Sequence, residues 1–413
     1  MANVFNTNKD APGIIAKAAA KMLADELQFT KSIAKAPADD YNGKNGYSAG
    51  DTIYISKPAR FDPQTTFDIT SSVQDIKEEK VALALDTIST IGVDIDSSQF
   101  ASEIQVAQVI NRVVKPAMSS IAQDVENRFL QKATQATYNL VGTAGSTVFD
   151  TDTVLAAREK MNKYLCPKDD GRFVLFDSTA GRSAVNARKG LFQSASNVAE
   201  QYKMGYVGMA DGYKWLENEL LYQHTNGADV AVAVEATVLT PATGATQLGV
   251  DGVTSGATIK KGSVFTIADV YAVHPITKQT QPFLQQFVVT ADVTETSGNS
   301  VTMSISPTIY SSASGALQNV SALPADEAAV TFVGSASTTY TQNLAFHSEA
   351  FRMVSVPLIM PTNAEFAAQE TVDGITVAIV RDFDVKTRKM ITRLDFLGGL
   401  AAVRPEWACR ITA

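Results

Sequence analysis

Apolar positions along the chain switch between a spacing of three or four and a spacing of two, and the switches divide it into segments. Ile14, Ile15, Ala18, Met22, Leu23, Leu27, Phe29 and Ile33 follow mostly the first spacing, which predicts an amphipathic helix within 11–36, after Pro12. Pro37, Asn42-Gly43 and Asn45-Gly46 then make a turn-rich loop. From Asp51 the spacing becomes two. Thr52-Ile53-Tyr54-Ile55 reads as a strand, and Val81, Leu83, Leu85, Ile91, Val93 and Ile95 as a long strand with one buried face. Together they predict a β-ribbon running out near 51 and back by 95, with a polar tip. Such a ribbon holds too little core to stand alone, so it should lie on another protein surface.

Residues 98–136 return to helical spacing through Ile104, Ala107, Ile110, Val114, Met118, Ile121, Val125 and Phe129. Pro116 should kink or split this helix, because it lacks an amide hydrogen and clashes one turn back. Mixed α/β text follows: a helix from Thr153 to Tyr164 behind the cap residue Asp152, a buried strand Arg172 to Phe176, and a helix Ser178 to Arg188. The chain closes with a β-hairpin through Val377, Ile379, Phe383 and Val385, the turn Lys386 to Lys389, and Met390, Leu394 and Phe396. After Gly398-Gly399 a last strand is predicted around Ala401-Ala402-Val403.

Composition changes the picture most between 225 and 345. Only 11 of these 121 residues are charged, none is arginine, and threonine and valine supply 35. Short strands are legible at 230–239, 263–273, 285–294 and 301–309, which predicts an all-β module, a small barrel. Mixed α/β text flanks it on both sides, so the module reads as an insertion.

The whole chain has 413 residues, room for two or three domains, and a net charge of −8. That balance, with no block of Lys or Arg, excludes tight binding to nucleic-acid phosphates. Arg182, Arg188 and Lys189, with Phe192 and Tyr202 beyond, read as a solvated helix face. Cys166 and Cys409 lie too far apart in sequence for a disulfide framework, which fits a reducing compartment. No apolar run approaches the roughly 18 residues of a membrane span, and MANVFNTNKDAPG lacks a signal peptide's apolar core, so folding in a cytoplasm is expected.

Catalytic signatures are sparse. His224, His274 and His347 have no second ligand at metal-site spacing, and no metal or cofactor is expected. Both cysteines read as small buried hydrophobes. Ser32-Ile33-Ala34-Lys35 matches S-x-x-K without its companion motifs. Asp94/Asp96, Asp150/Asp152 and Asp382/Asp384 lack the glycine and distal glutamate of a calcium loop.

Four phrases are more telling. Ser48-Ala49-Gly50-Asp51-Thr52-Ile53-Tyr54-Ile55, Ile259 to Ile267 with Val270 to Val273, Gln342 to His347 through Pro357-Leu358, and Asp395 to Leu400 through Arg404-Pro405-Glu406 occur in this order. Their order resembles the major capsid proteins of tailed bacteriophages, the fold shared with herpesvirus capsids, and more narrowly the podophage coat proteins with an inserted β-barrel. The resemblance implies an α+β fold with an N-terminal arm (1–40), an extended loop and peripheral strands (41–97), and a spine helix (98–149). An axial domain (150–224 and 346–375) would surround the inserted barrel (225–345), and the peripheral domain would close with 376–413. It implies a non-enzymatic chain that assembles in the host cytoplasm, as pentamers and hexamers, into the icosahedral virion capsid. That shell would enclose double-stranded DNA without sequence-specific binding. Scaffolding protein and portal protein are the implied partners, with a decoration protein as a further one. Tyr54, Lys57 and Arg60 on the ribbon, and Asp251 in the loop Thr240 to Gly256, are the implied intersubunit contacts. A tail or adhesin-like protein, or an enzyme with a spatially assembled site, are the alternatives.

Overall fold

A computed structural model describes residues 17, 19–23, 27–35, 50–58, 61, 73, 80–95, 114–146, 149–188, 209–296, 298–361, 363–364, 366–384 and 389–412. The chain divides into two compact units, one holding residues 1–55, 80–130 and 352–401, the other 56–79, 131–351 and 402–413.

In the first unit the predicted ribbon is shorter than the sequence suggested. Among the described residues, Thr52–Ser56 pairs with Lys80–Ala84 alone. The next strand, Thr87–Ile95, leaves the ribbon and pairs antiparallel with Lys389–Ala402, Met390 facing Ile95 and Gly398 facing Thr87. The alternation at 81–95 is thus two strands in two sheets. The larger sheet has six strands, ordered 34–35, 351–355, 389–402, 375–384 and 366–372, with 87–95 as a side branch on 389–402.

The expected break at Gly398-Gly399 does not occur, and both glycines lie inside the 14-residue strand. The reason is steric: a Cβ on Gly399 would sit 2.3 Å from the Ala84 carbonyl oxygen. The glycine admits a crossing strand there. The hairpin turn at 385–388 lies outside the described residues.

Helix α1 (Lys115–Ala136) buries Met118, Ile121, Val125 and Phe129 at the predicted spacing. Phe129 meets Phe396 of the sheet edge to face, centroids 6.3 Å apart. Pro116 is the second residue of the described α-helix, behind π-helical Val114, and residues 98–113, where a kink or split was expected to show, lie outside the described residues. Of the N-terminal helix, 19–23 and Phe29–Ser32 are helical.

The second unit contains a seven-stranded sheet ordered 140–142, 408–412, 339–347, 172–176, 213–217 and 209–210, with 223–225 also on 339–347. The final strand is therefore Ala408–Thr412, not 401–403, and it runs parallel to 140–142. Helix α2 (Thr151–Lys163) buries Val154, Ala157 and Met161. Its cap is Asp150 rather than Asp152: the Asp150 carboxylate accepts the Thr153 amide at 2.9 Å, and Asp152 sits in the first turn. Helix α3 (Ser178–Arg188) and strand Arg172–Phe176 fall at their predicted limits. These elements close on Phe149, Phe176, Tyr213, Trp215, Cys409 and Ile411.

The inserted module is a closed six-stranded barrel. Its strands are β1 (Ala231–Val234), β2 (Ala245–Asp251), β3 (Val264–Val273), β4 (Thr280–Val289), β5 (Val301–Ile309) and β6 (Ala329–Phe332). Their order around the barrel is β1-β2-β5-β4-β3-β6, with β6 returning to β1. Strands β2 and β6 were not legible in the sequence. Ala245–Asp251, expected within a loop, is a barrel strand, and the strand read at 285–294 is β4, ending at Val289. Entry and exit of the module are zipped together: Thr225 pairs with Thr339, and their hydroxyls hydrogen-bond at 2.8 Å.

Candidate assembly surfaces and the barrel seam

The implied contact residues are not gathered at one place. Tyr54 projects from Thr52–Ser56 with 61% of its surface exposed, while Ile53 and Ile55 on the other face are buried. Lys57 lines a cleft of about 390 Å³, with Phe61, Tyr164, Ile276, Arg404 and Trp407 also on its walls. There the Arg404 guanidinium lies over the Trp407 ring, 4.4 Å from its centroid. Arg60 lies outside the described residues. Asp251 ends strand β2, away from that cleft.

Asp251 has company that the sequence did not reveal. Carboxylate oxygens of Glu235, Asp251 and Glu327 lie within 4.8 Å of one another. Glu235 follows β1 and Glu327 precedes β6, so only the pairing of β1 with both β2 and β6 assembles the trio. Among the described residues this is the one group of three side chains placed to share an ion, and it contains no histidine.

Each histidine is committed elsewhere. His274 Nδ1 accepts the amides of Ile276 and Thr277 in a tight turn. His347, buried, accepts the Glu349 amide at Nδ1 and donates from Nε2 to Asp169 at 2.8 Å. That bond and the Gly171 amide hold the Asp169 carboxyl below its usual range.

His224 belongs to a polar seam between the barrel and the parent sheet. Its Nε2 meets Ser263 Oγ at 3.1 Å, and its Nδ1 meets Tyr222 Oη at 3.4 Å. Gln135 donates to that same Tyr222 oxygen at 3.1 Å. Beside them Arg410, 1% exposed, donates from Nη1 to the Gly262 carbonyl at 2.7 Å. Gly262 is required there by its φ of +90°, and a Cβ would press on Gln135 at 3.1 Å.

Further along the seam, Gln286 of β4 accepts the Leu140 amide at 2.7 Å and returns a bond to the Leu140 carbonyl at 3.0 Å. Lys160 donates to the same Gln286 oxygen, and Tyr164 donates to Gln285 at 3.1 Å. Burial lowers Lys160 to about 8 and Arg410 to about 9, and raises Cys409, near both cations, to about 12. The seam therefore holds cations that burial has made easier to deprotonate, and one thiol too weakly acidic to act as a nucleophile.

Residues 20–410 match the model of a family described as P22 coat protein, gene protein 5. The chain belongs to this family. As a coat protein it is a structural, non-enzymatic component of a bacteriophage capsid shell, with an α+β architecture that holds a closed barrel between strands of its seven-stranded sheet. The structure is similar to a chain of Mycobacterium phage Che8, at 13% identity over 93% of this chain and 90% of that one, TM-score 0.46. It is also similar to the capsid of Ralstonia phage GP4, at 7% identity over 89% and 84%, TM-score 0.47. A quarter of the chain (25%) is similar at 31% identity to the CUS-3 coat protein I-domain, covering 95% of it, TM-score 0.19. No curated protein sequence matches.

Proposed function

We propose that this coat protein assembles as pentamers and hexamers into an icosahedral shell around double-stranded viral DNA. The family match across residues 20–410 is the observation that carries this reading. In it, residues 1–40 serve as an arm, the ribbon as the extended loop lying on a neighbour, and α1 as the spine of the peripheral domain. The seven-stranded sheet with α2 and α3 serves as the axial domain, the barrel as its insertion. Assembly takes place in the host cytoplasm on a scaffolding protein, with a portal protein at one vertex and a decoration protein as a further partner.

Exposed Tyr54 supports a role for the ribbon in contact between subunits, and Lys57 and Asp251 are proposed to act the same way. Repeated weak contacts around a closed surface sum to a cooperative shell. The test is sedimentation of the full chain, alone and co-expressed with its scaffold, with electron microscopy of the fast fraction. Closed shells or five- and six-membered rings are expected. A chain that remains monomeric in both conditions overturns the reading. Tyr54→Asp should leave the monomer's melting point unchanged while reducing the sedimenting fraction at least several-fold.

A further inference from the structure

The barrel and the parent sheet have separate apolar cores, the first around Phe265, Phe287 and Met303, the second around Phe149, Trp215 and Cys409. A small cluster, Tyr138, Leu140, Val264 and Val288, continues apolar packing between them, and Tyr164 meets Phe283 of β4 edge to face, centroids 6.4 Å apart. Beside these contacts runs the polar seam. At its heart two nitrogenous side chains of the sheet are buried together, His224 from strand 223–225 and Arg410 from the last strand, and they reach Ser263 and Gly262 of the barrel. Arg410 Nε and Nη2 have no hydrogen-bond partner among the described residues.

We propose that this seam is an acid-sensitive latch: protonating His224 places a second cation beside buried Arg410 and releases the barrel from the sheet, while each keeps its own core. The groups around the imidazole leave little to offset that charge. Tyr222 directly precedes its strand, Ser263 and Gly262 precede β3, Gln135 comes from α1, and Asn226, which follows the strand, offers the charged ring a single neutral hydrogen-bond partner. The one carboxylate that acts on His224 is Asp292, which is exposed at the rim and accepts the Lys261 amide. In the neutral ring one nitrogen is an acceptor, and Tyr222 and Ser263 share its two nitrogens at 3.4 and 3.1 Å. Protonation turns both ring nitrogens into donors, which removes that acceptor as well as adding charge.

Burial and Arg410 hold His224 down at about 4, below the usual 6.5 of an exposed histidine. A base with a lowered folded value is fully docked above the unfolded value and loses docking as the pH falls from about 6.5 toward about 4. The experiment is hydrogen exchange of the full chain at pH 7.5 and 5, corrected for intrinsic rates. The amides to follow are Leu140, which bonds across the seam to the Gln286 carboxamide, and Gly262 and Arg410, which flank the seam on the barrel side and the sheet side. Their protection should fall about 30-fold between those pH values, while strand 172–176 and the interior of β3 and β4 hold theirs. His224→Gln, which cannot titrate, should abolish the change. Seam protection that is independent of pH, or an equal fall in His224→Gln, overturns the proposal. Should that variant misfold, the imidazole proton resonances of the wild-type chain decide instead. Of only three histidines, His224 must titrate well below 6.5 and together with the loss of seam protection; titration near 6.5 without that loss overturns the latch.

Discussion

The Gln286 carboxamide pairs with both main-chain groups of Leu140, accepting the amide at 2.7 Å and donating to the carbonyl at 3.0 Å. A barrel side chain thus takes the place of a strand beside 140–142, an edge of the parent sheet. Gln286→Leu should cost about 1–3 kcal/mol, since the buried partners lose their bonds and gain none. Gln286→Glu keeps the acceptor for Leu140 and Lys160 and should cost less. Urea unfolding of the two variants checks the order, and a leucine variant as stable as wild type would refute the role.

Glu126 of α1 does similar service for the N-terminal segment. Its carboxylate accepts the Phe29 amide at 2.5 Å and the Thr30 hydroxyl at 2.9 Å. Glu126→Ala should cost about 1–3 kcal/mol and expose the amides of Phe29 and Thr30 to exchange.

Burial raises the Glu126 carboxyl above its usual 4.5 despite those donors. An acid with a raised folded value costs stability when ionised, and that cost fades as the pH falls through the folded value toward the unfolded one. The stability of wild type relative to Glu126→Gln should therefore rise between pH 7 and pH 5, read from urea midpoints. A relative stability that falls over that interval would contradict the sign.

Two strand glycines should respond oppositely to the same change. At Gly399 an added methyl meets the Ala84 carbonyl at 2.3 Å and Leu83 at 2.6 Å, so Gly399→Ala should lower stability by about 1–3 kcal/mol or more. At Gly92 nothing lies within 4 Å, and Gly92→Ala should be neutral or slightly stabilising. Melting temperatures of the pair give the answer, and equal effects would count against the crossing at Gly399.

Burial pushes the Cys166 thiol up to about 11 and the Cys409 thiol up to about 12. Thiolate is scarce at neutral pH, so the folded chain should resist a thiol-reactive dye at pH 7.5 and both cysteines should label in urea. Fast labelling of either thiol in the native protein would show that its burial is not maintained.

Elements governed by local periodicity were legible before the fold was known. The strand Arg172–Phe176 and helix Ser178–Arg188 fell at their predicted limits, because hydrophobic spacing and nearby turn residues define them. Elements defined by a distant partner were not. Strand β2, with Gly244 and Gly252 at its ends and three polar residues among seven, resembles a loop until β5 pairs with it. Gly398-Gly399 resembles a break until Ala84 crosses there. The cap moved from Asp152 to Asp150 because both are acceptors before a helix, and only backbone direction distinguishes them.

The same division runs through the functional surfaces. The sequence by itself determined the order of segments, the charge-poor β insertion and, through its family phrases, the capsid identity, since these rest on composition and on short-range pattern. Tertiary structure alone decided that Glu235 and Glu327 meet Asp251, that Gln286 pairs with Leu140, and that His224 and Arg410 share one buried seam. Their separations run from 16 to 186 residues, and a contact that closes so long a loop leaves no periodic trace in the chain. It exists only once the barrel has closed and the last strand has entered the sheet.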